Sequence, residues 1–203
     1  SIGVVFLAAI SGALKVNAVD AFQHEKSEDN DYILAMYKHL LNDRSFFFTN
    51  ASKMNESEFS EAFSKCIIKS ISGKFEYKPE KISFEFPYQV HNLPYGNDVF
   101  DLVYSFATFE HFRKPDDAAR ELYRITKPGG ISYHSVDLRD HRDFGQPLQF
   151  LTMDANSWQK YGDGITSYSF TNRLRSSEII QCFTSSGFKY CKHIPFLRMS
   201  VND

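Results

Sequence analysis

A chain of 203 residues that is 42% hydrophobic and 16% aromatic can bury one substantial core, and its length favours one domain over two. The net charge of -2 and isoelectric point of about 6.4 leave no general positive field to gather phosphate backbones or anionic lipid, so nucleic acid is not an expected partner. Cys66, Cys182 and Cys191 form no CxxC pair and their odd number does not describe a disulfide framework, which favours a reducing, cytoplasmic setting.

The opening "SIGVVFLAAISGAL" is apolar but is interrupted by Ser11 and Gly12 and soon reaches Lys15. It is too short to span a bilayer and lacks the basic start of a signal peptide, so no membrane partner is expected. Val4, Val5, Leu7, Ala8 and Ile10 predict a buried helix, and "LKVNAVD" alternates like a strand ending at Asp20. "SEDNDYILAMYKHLLND" predicts an amphipathic helix with Ser27 as its cap and acids in its first turn. A further helix is expected over Ser57 to Ile68, and a strand over Lys81 to Phe86. The sequons at Asn50 and Asn55 are short enough to arise by chance.

"NLPYGND" is a turn cluster leading into "VFDLVYSF", a nearly continuous apolar run of the kind found in a strand covered on both faces. "PDDAARELYRIT" predicts a helix with Pro115 at its start, broken by "KPGG" and followed by the strand "GISYHSVD". One or two short helices are expected over residues 147 to 161. "SSEIIQCFTSSG" predicts a helix closed by Gly187, and "FKYCKHIPF" a last strand. Helices alternating with buried strands predict an α/β fold, a Rossmann-like mostly parallel sheet with helices on both faces.

In such a sheet ligands bind beyond the carboxyl ends of the strands. The places to inspect are Asp20 to Phe22, Gln89 to Asn92, Ser105 to Phe109 and Asp137 to His141. An acid ending a strand can accept hydrogen bonds from the two hydroxyls of a ribose, and it can equally cap a loop.

The stretch "LPYGNDVFDLVYSFATFEHFRKPDDAARELYRITKPGG" resembles the second half of class I S-adenosylmethionine-dependent methyltransferases, in which a strand reading like FDLV-Y-S is followed by a helix and then KPGG. The resemblance extends back through "GVVFLAAISGALKVNAVDAF" and forward through "TNRLRSSEIIQCFTSSGF", and it is nearest to enzymes that modify small molecules and glycans. It implies a single methyltransferase-like domain over residues 1–203, of which about 143–203 supplies substrate-side helices and the last strands. It also implies S-adenosylmethionine as cofactor and a small molecule or glycan as acceptor. Carried over by residue, it makes Gly3 the tail of the glycine-rich cofactor loop and Asp20 the ribose-binding acid, with Ala21 beside it and Phe22 near the adenine. Gln89 and Val90 would lie at the adenine amino group, where the family often has Asp, and Ser105 and Phe106 would flank the methionine portion.

The family's first strand and E-x-G-x-G loop should precede Gly3 and are absent here. Either the sequence is a fragment, which we favour, or the domain is N-terminally incomplete through loss of its cofactor cradle. Weak cofactor binding by this chain is expected in both cases.

For catalysis, methyl transfer to a hydroxyl needs in-line geometry and a base. "HSVDLRDH" concentrates His134, Asp137, Arg139, Asp140 and His141 after a strand. His141 or Asp137 is expected as the base, held by Arg139. Asp137 and Arg139 could instead tie the loop as an ion pair, and a metal site would need a more diagnostic spacing, so no metal is expected. Glu110 and His111 fall near the cofactor's methyl end as second candidates, although an acid and a His at a helix start are more often structural. Arg173 and Arg175 could orient an anion or anchor the last helix, and Trp158 and Tyr161 could stack on a sugar or belong to the core. Two rivals remain: a noncatalytic methyltransferase-like binding module, and a nicotinamide-dependent oxidoreductase, against which the KPGG turn and the lack of a Tyr-x-x-x-Lys pair count.

Overall fold

The computed structural model describes residues 2–21, 29–43, 53–69, 75–163 and 170–196. These fall into two compact units, residues 1–89 and 90–203.

The first unit contains α1 (Ile2–Ile10), β1 (Val16–Val19), α2 (Asp29–Asn42), α3 (Glu56–Cys66), β2 (Ile67–Lys69), β3 (Phe75–Tyr77) and β4 (Ile82–Glu85). β1 and β4 pair in parallel, while β2 and β3 form a short antiparallel pair. The crowded apolar residues of α1 place Phe6, Ala9 and Ile10 in a core with Leu40 of α2, Phe59 and Phe63 of α3, and Ile82 of β4. The start of α3 is fixed by a capping box: the Asn55 side chain accepts from Glu58 N–H at 3.0 Å, and Glu58 returns the bond to Asn55 N–H at 2.8 Å. That use engages the Asn55 sequon, while Asn50 lies outside the described residues. α3 ends at Cys66, earlier than its apolar pattern suggests, because Ile67 turns extended and begins β2.

The second unit contains β5 (Phe100–Phe106), α4 (Pro115–Ile125), β6 (Thr126–Ser135), α5 (Ala155–Asp163) and α6 (Ser176–Ser186), with 3-10 turns at Phe109–His111 and Gln149–Thr152. β5 and β6 are parallel, joined through α4. Proline opens α4, and one helix face buries Ala118, Ala119, Leu122 and Ile125. α4 packs against α6 and β6. Helices alternating with parallel strands give the α/β, Rossmann-like class expected from the pattern, but among the described residues the strands form separate two-stranded pairs, and β5 is not covered on both faces, with Leu102 57% exposed.

"KPGG" is not a break between helix and strand, because α4 ends at Ile125 and β6 begins at Thr126. It lies inside β6 as a bulge: Phe100 pairs with Thr126 and Leu102 with Ile131, two steps on β5 against five on β6. Gly129 takes φ +81°, and a Cβ on Gly130 would stand 2.9 Å from Lys127 O, so both glycines are required. The opposite outcome holds at the C-terminus, where residues 188–196 form no strand. Their alternation finds no partner strand among the described residues, and Tyr190 and Phe196 are left exposed.

Candidate functional site

In the second unit, the segments leaving the carboxyl ends of β5 and β6 converge. After β5 the chain turns through Ala107, at φ +46°, into the 3-10 turn that carries Glu110 and His111. Asn172 clamps this turn: its N–H donates to Glu110 O at 2.7 Å and its side-chain amide to Phe109 O at 2.9 Å. After β6 come Asp137, Arg139 and His141.

Five chemically active side chains meet here. Asp137 accepts twin hydrogen bonds from Arg139, Nε to Oδ1 at 2.9 Å and Nη2 to Oδ2 at 2.6 Å. The guanidinium holds the Asp137 carboxyl below the usual range. His141 Nε2 lies 3.6 Å from the same carboxylate, and the His111 and His141 rings are 5.0 Å apart at 64°. Burial, followed by the neighbouring His111, lowers the His141 pKa. Glu110 is only 2% exposed, and its Oε1 accepts from Asp137 N–H at 3.3 Å. Burial raises its pKa, favouring the neutral acid. Its Oε2 and the Nε2 of His141 are both buried without a hydrogen-bond partner.

The sequence singled out Asp137, Arg139 and His141, and the structure brings them together with Glu110 and His111. Asp140 stands apart. It is fully buried and holds Arg142 through both carboxylate oxygens. Arg173 donates to Phe150 O and Met153 O, and Arg175 to Leu138 O, so both anchor the backbone as the structural alternative had it. Trp158 is buried with Phe150 and Phe170, with Tyr161 packed against them, so these rings form a small core rather than a sugar platform. Among the described residues no three His, Cys, Asp or Glu side chains are grouped to hold a metal ion.

The residues expected at the cofactor are placed as follows. Gly3 lies in the first turn of α1, and Asp20 is exposed directly beyond β1. The Asp20 backbone is fixed on both sides, its N–H donating to Glu85 O at 3.1 Å and its C=O accepting from Tyr88 N–H at 2.9 Å. An exposed carboxylate on a fixed backbone beyond a parallel strand suits a ribose diol. Ala21 is half-buried beside it, and Phe22 lies outside the described residues. Gln89 is exposed and Val90 half-buried in the loop after β4. Phe106 is 61% exposed at the end of β5, whereas Ser105 Oγ is engaged by His134 Nδ1 at 2.7 Å. Cavities of ≈ 430 and ≈ 220 Å³ lie along α3 in the first unit and touch none of these residues. No described helix is long and apolar enough to cross a membrane.

The parallel β5–β6 pair with its crossover helix thus carries the KPGG bulge and, beyond its carboxyl ends, the acid–base cluster. Residues 69–134 match the family described as "Methyltransferase domain", so that this stretch is methyltransferase-domain sequence. No curated protein matches the chain. Similar solved structures include a chain in the complex between the Haloferax volcanii Trm112 methyltransferase activator and a methyltransferase, at 18% identity and TM-score 0.43, covering 90% of this chain and 64% of that one. They also include the cyclase SpnF, at 13% identity and TM-score 0.40, covering 92% and 56%. A Bacillus halodurans C-125 protein described as a methyltransferase has 14% identity and TM-score 0.41, covering 90% and 67%. The chain thus spans less than two thirds of the first two.

Proposed function

We propose that residues 1–203 act as one methyltransferase-like domain that transfers a methyl group from S-adenosylmethionine to a small molecule or glycan, at oxygen. The observation that carries this reading is that methyltransferase-domain sequence ends at His134, just before the loop that brings Asp137, Arg139 and His141 to the carboxyl end of β6. S-adenosylmethionine, when bound, supplies an electrophilic methyl group on a sulfonium.

The chain's own residues do the rest. Asp20 accepts from the ribose hydroxyls, and Gly3, Ala21 and Phe22 are the cofactor-binding residues that go with it. Gln89 and Val90 meet the adenine edge, where a Gln carbonyl can accept from the amino group. Ser105 and Phe106 border the methionine portion. The Asp137, Arg139 and His141 loop forms the acid–base side of the acceptor site, with Arg139 fixing Asp137 and Asp137 facing His141.

Isothermal titration with S-adenosylhomocysteine and with NADH tests the reading. Binding of the first alone is expected. Binding of NADH alone would make the protein a nicotinamide enzyme, and no binding of either at millimolar concentration would leave a noncatalytic module.

A further inference from the structure

His111 is held in a way that fixes which of its nitrogens is available. Its Nδ1 lies 2.6 Å from the carbonyl oxygen of Phe170. A carbonyl only accepts, so Nδ1 carries the hydrogen and the neutral ring keeps its lone pair on Nε2. The carbonyl is itself fixed, because the neighbouring Asn172 clamps the turn on both sides of His111, bonding Phe109 O and Phe112 O. The half-buried His111 makes no bond through Nε2 to any described residue.

The other bases in the cluster are occupied or covered, His141 at one of its two nitrogens. His141 Nε2 is buried against Asp137. Asp137 gives both oxygens to Arg139. Glu110 is buried and bonded to the Asp137 backbone. His134, at the end of β6, has both nitrogens on serine hydroxyls, Ser105 at 2.7 Å and Ser132 at 2.7 Å.

We propose, on the methyl-transfer reading above, that His111 is the catalytic base that meets the acceptor, and that Asp137 and His141 support it from behind as positioning residues. As the acceptor oxygen forms its bond to the methyl carbon, the carbon–sulfur bond of the sulfonium breaks and its electron pair stays on sulfur. The hydroxyl proton passes to His111 Nε2, leaving an imidazolium that returns the proton to solvent. The acceptor is therefore a hydroxyl compound, presented to a lone pair whose direction the Phe170 carbonyl sets.

Two readouts test this on the chain itself without turnover. Long-range proton–nitrogen correlation on histidine-labelled protein should show the neutral His111 ring as the Nδ1–H tautomer. Diethyl pyrocarbonate, which acylates an unprotonated accessible imidazole nitrogen, should modify His111 at least about tenfold faster than His134, as read by peptide mass spectrometry. His111→Gln identifies the signals. S-adenosylhomocysteine, once calorimetry shows it bound, should slow that modification severalfold. An Nε2–H tautomer, a His111 that resists while His141 reacts, or a rate indifferent to bound S-adenosylhomocysteine would each overturn the proposal. Failure of S-adenosylhomocysteine to bind at all would instead count against the methyl-transfer reading.

Discussion

Ser105 and His134 face each other across the parallel β5–β6 ladder, with Ser105 Oγ 2.7 Å from Nδ1, while Ser132 Oγ lies 2.7 Å from Nε2 of the same ring. A neutral imidazole has one donor and one acceptor, and two hydroxyls complement either tautomer. The ring also stacks on Phe183 at 4.9 Å. Burial accordingly pushes the His134 pKa down from 6.5 to about 4.

The consequence for stability has a definite sign. Between about pH 6.5 and 4 the unfolded chain binds a proton that the folded ring refuses, so stability is complete above this window and falls as pH drops through it, by up to about 3 kcal/mol. Urea midpoints at pH 7 and pH 4.5 check this. The native protein should lose more than His134→Gln over that interval, and equal losses would show that the ring titrates freely.

Glu110 has the opposite dependence. Its pKa is raised by burial, so its contribution is complete below the ordinary carboxyl range and is lost as pH rises through the raised value. Glu110→Gln keeps the acceptor for Asp137 N–H, removes the buried charge and brings an amide to the unpartnered position. At pH 8 the variant should be more stable than the native protein by about 1 kcal/mol, with the difference shrinking toward pH 4. A variant equally destabilised at both pH values would mean that Glu110 is charged and paired.

Much of this site was legible in the sequence and some of it could not be. Asp137, Arg139 and His141 lie within five consecutive residues, so local spacing alone brought them together. The meeting of His111 with His141 needs the parallel crossover through α4, and the bond from His111 to Phe170 spans 59 residues. Neither leaves a local signal, although "FEHF" directly after an apolar strand marked the position. Likewise Trp158 and Tyr161 carried the helical spacing of a core, and their burial with Phe150 bears that out. The strand expected over 188–196 failed for a different reason: alternation proposes a strand, but only a neighbouring edge can make one.

Asp20→Ala tests the ribose assignment. Loss of two charge-assisted hydrogen bonds should weaken S-adenosylhomocysteine binding by roughly 2 to 4 kcal/mol in titration calorimetry. Unchanged affinity would remove Asp20 from the site.

Gly130→Ala tests the bulge. The added carbon would stand 2.9 Å from Lys127 O and 3.1 Å from Asp101 O, both backbone atoms that cannot simply rotate away. Destabilisation of about 1 to 3 kcal/mol is expected in urea unfolding. A neutral result would show that the bulge relaxes freely.

That bulge also resolves a conflict of phase. α4 runs into β6 without a connecting loop, since Ile125 ends the helix and Thr126 begins the strand. A helix and a strand repeat with different periods, so a direct join would let the rotational position of α4 dictate which side chains of β6 point up and which down. The three surplus residues act as slack between the two. Leu122 and Ile125 can be buried as the helix requires, while Ser132 and His134 keep the beat of Val103 and Ser105 on the neighbouring strand.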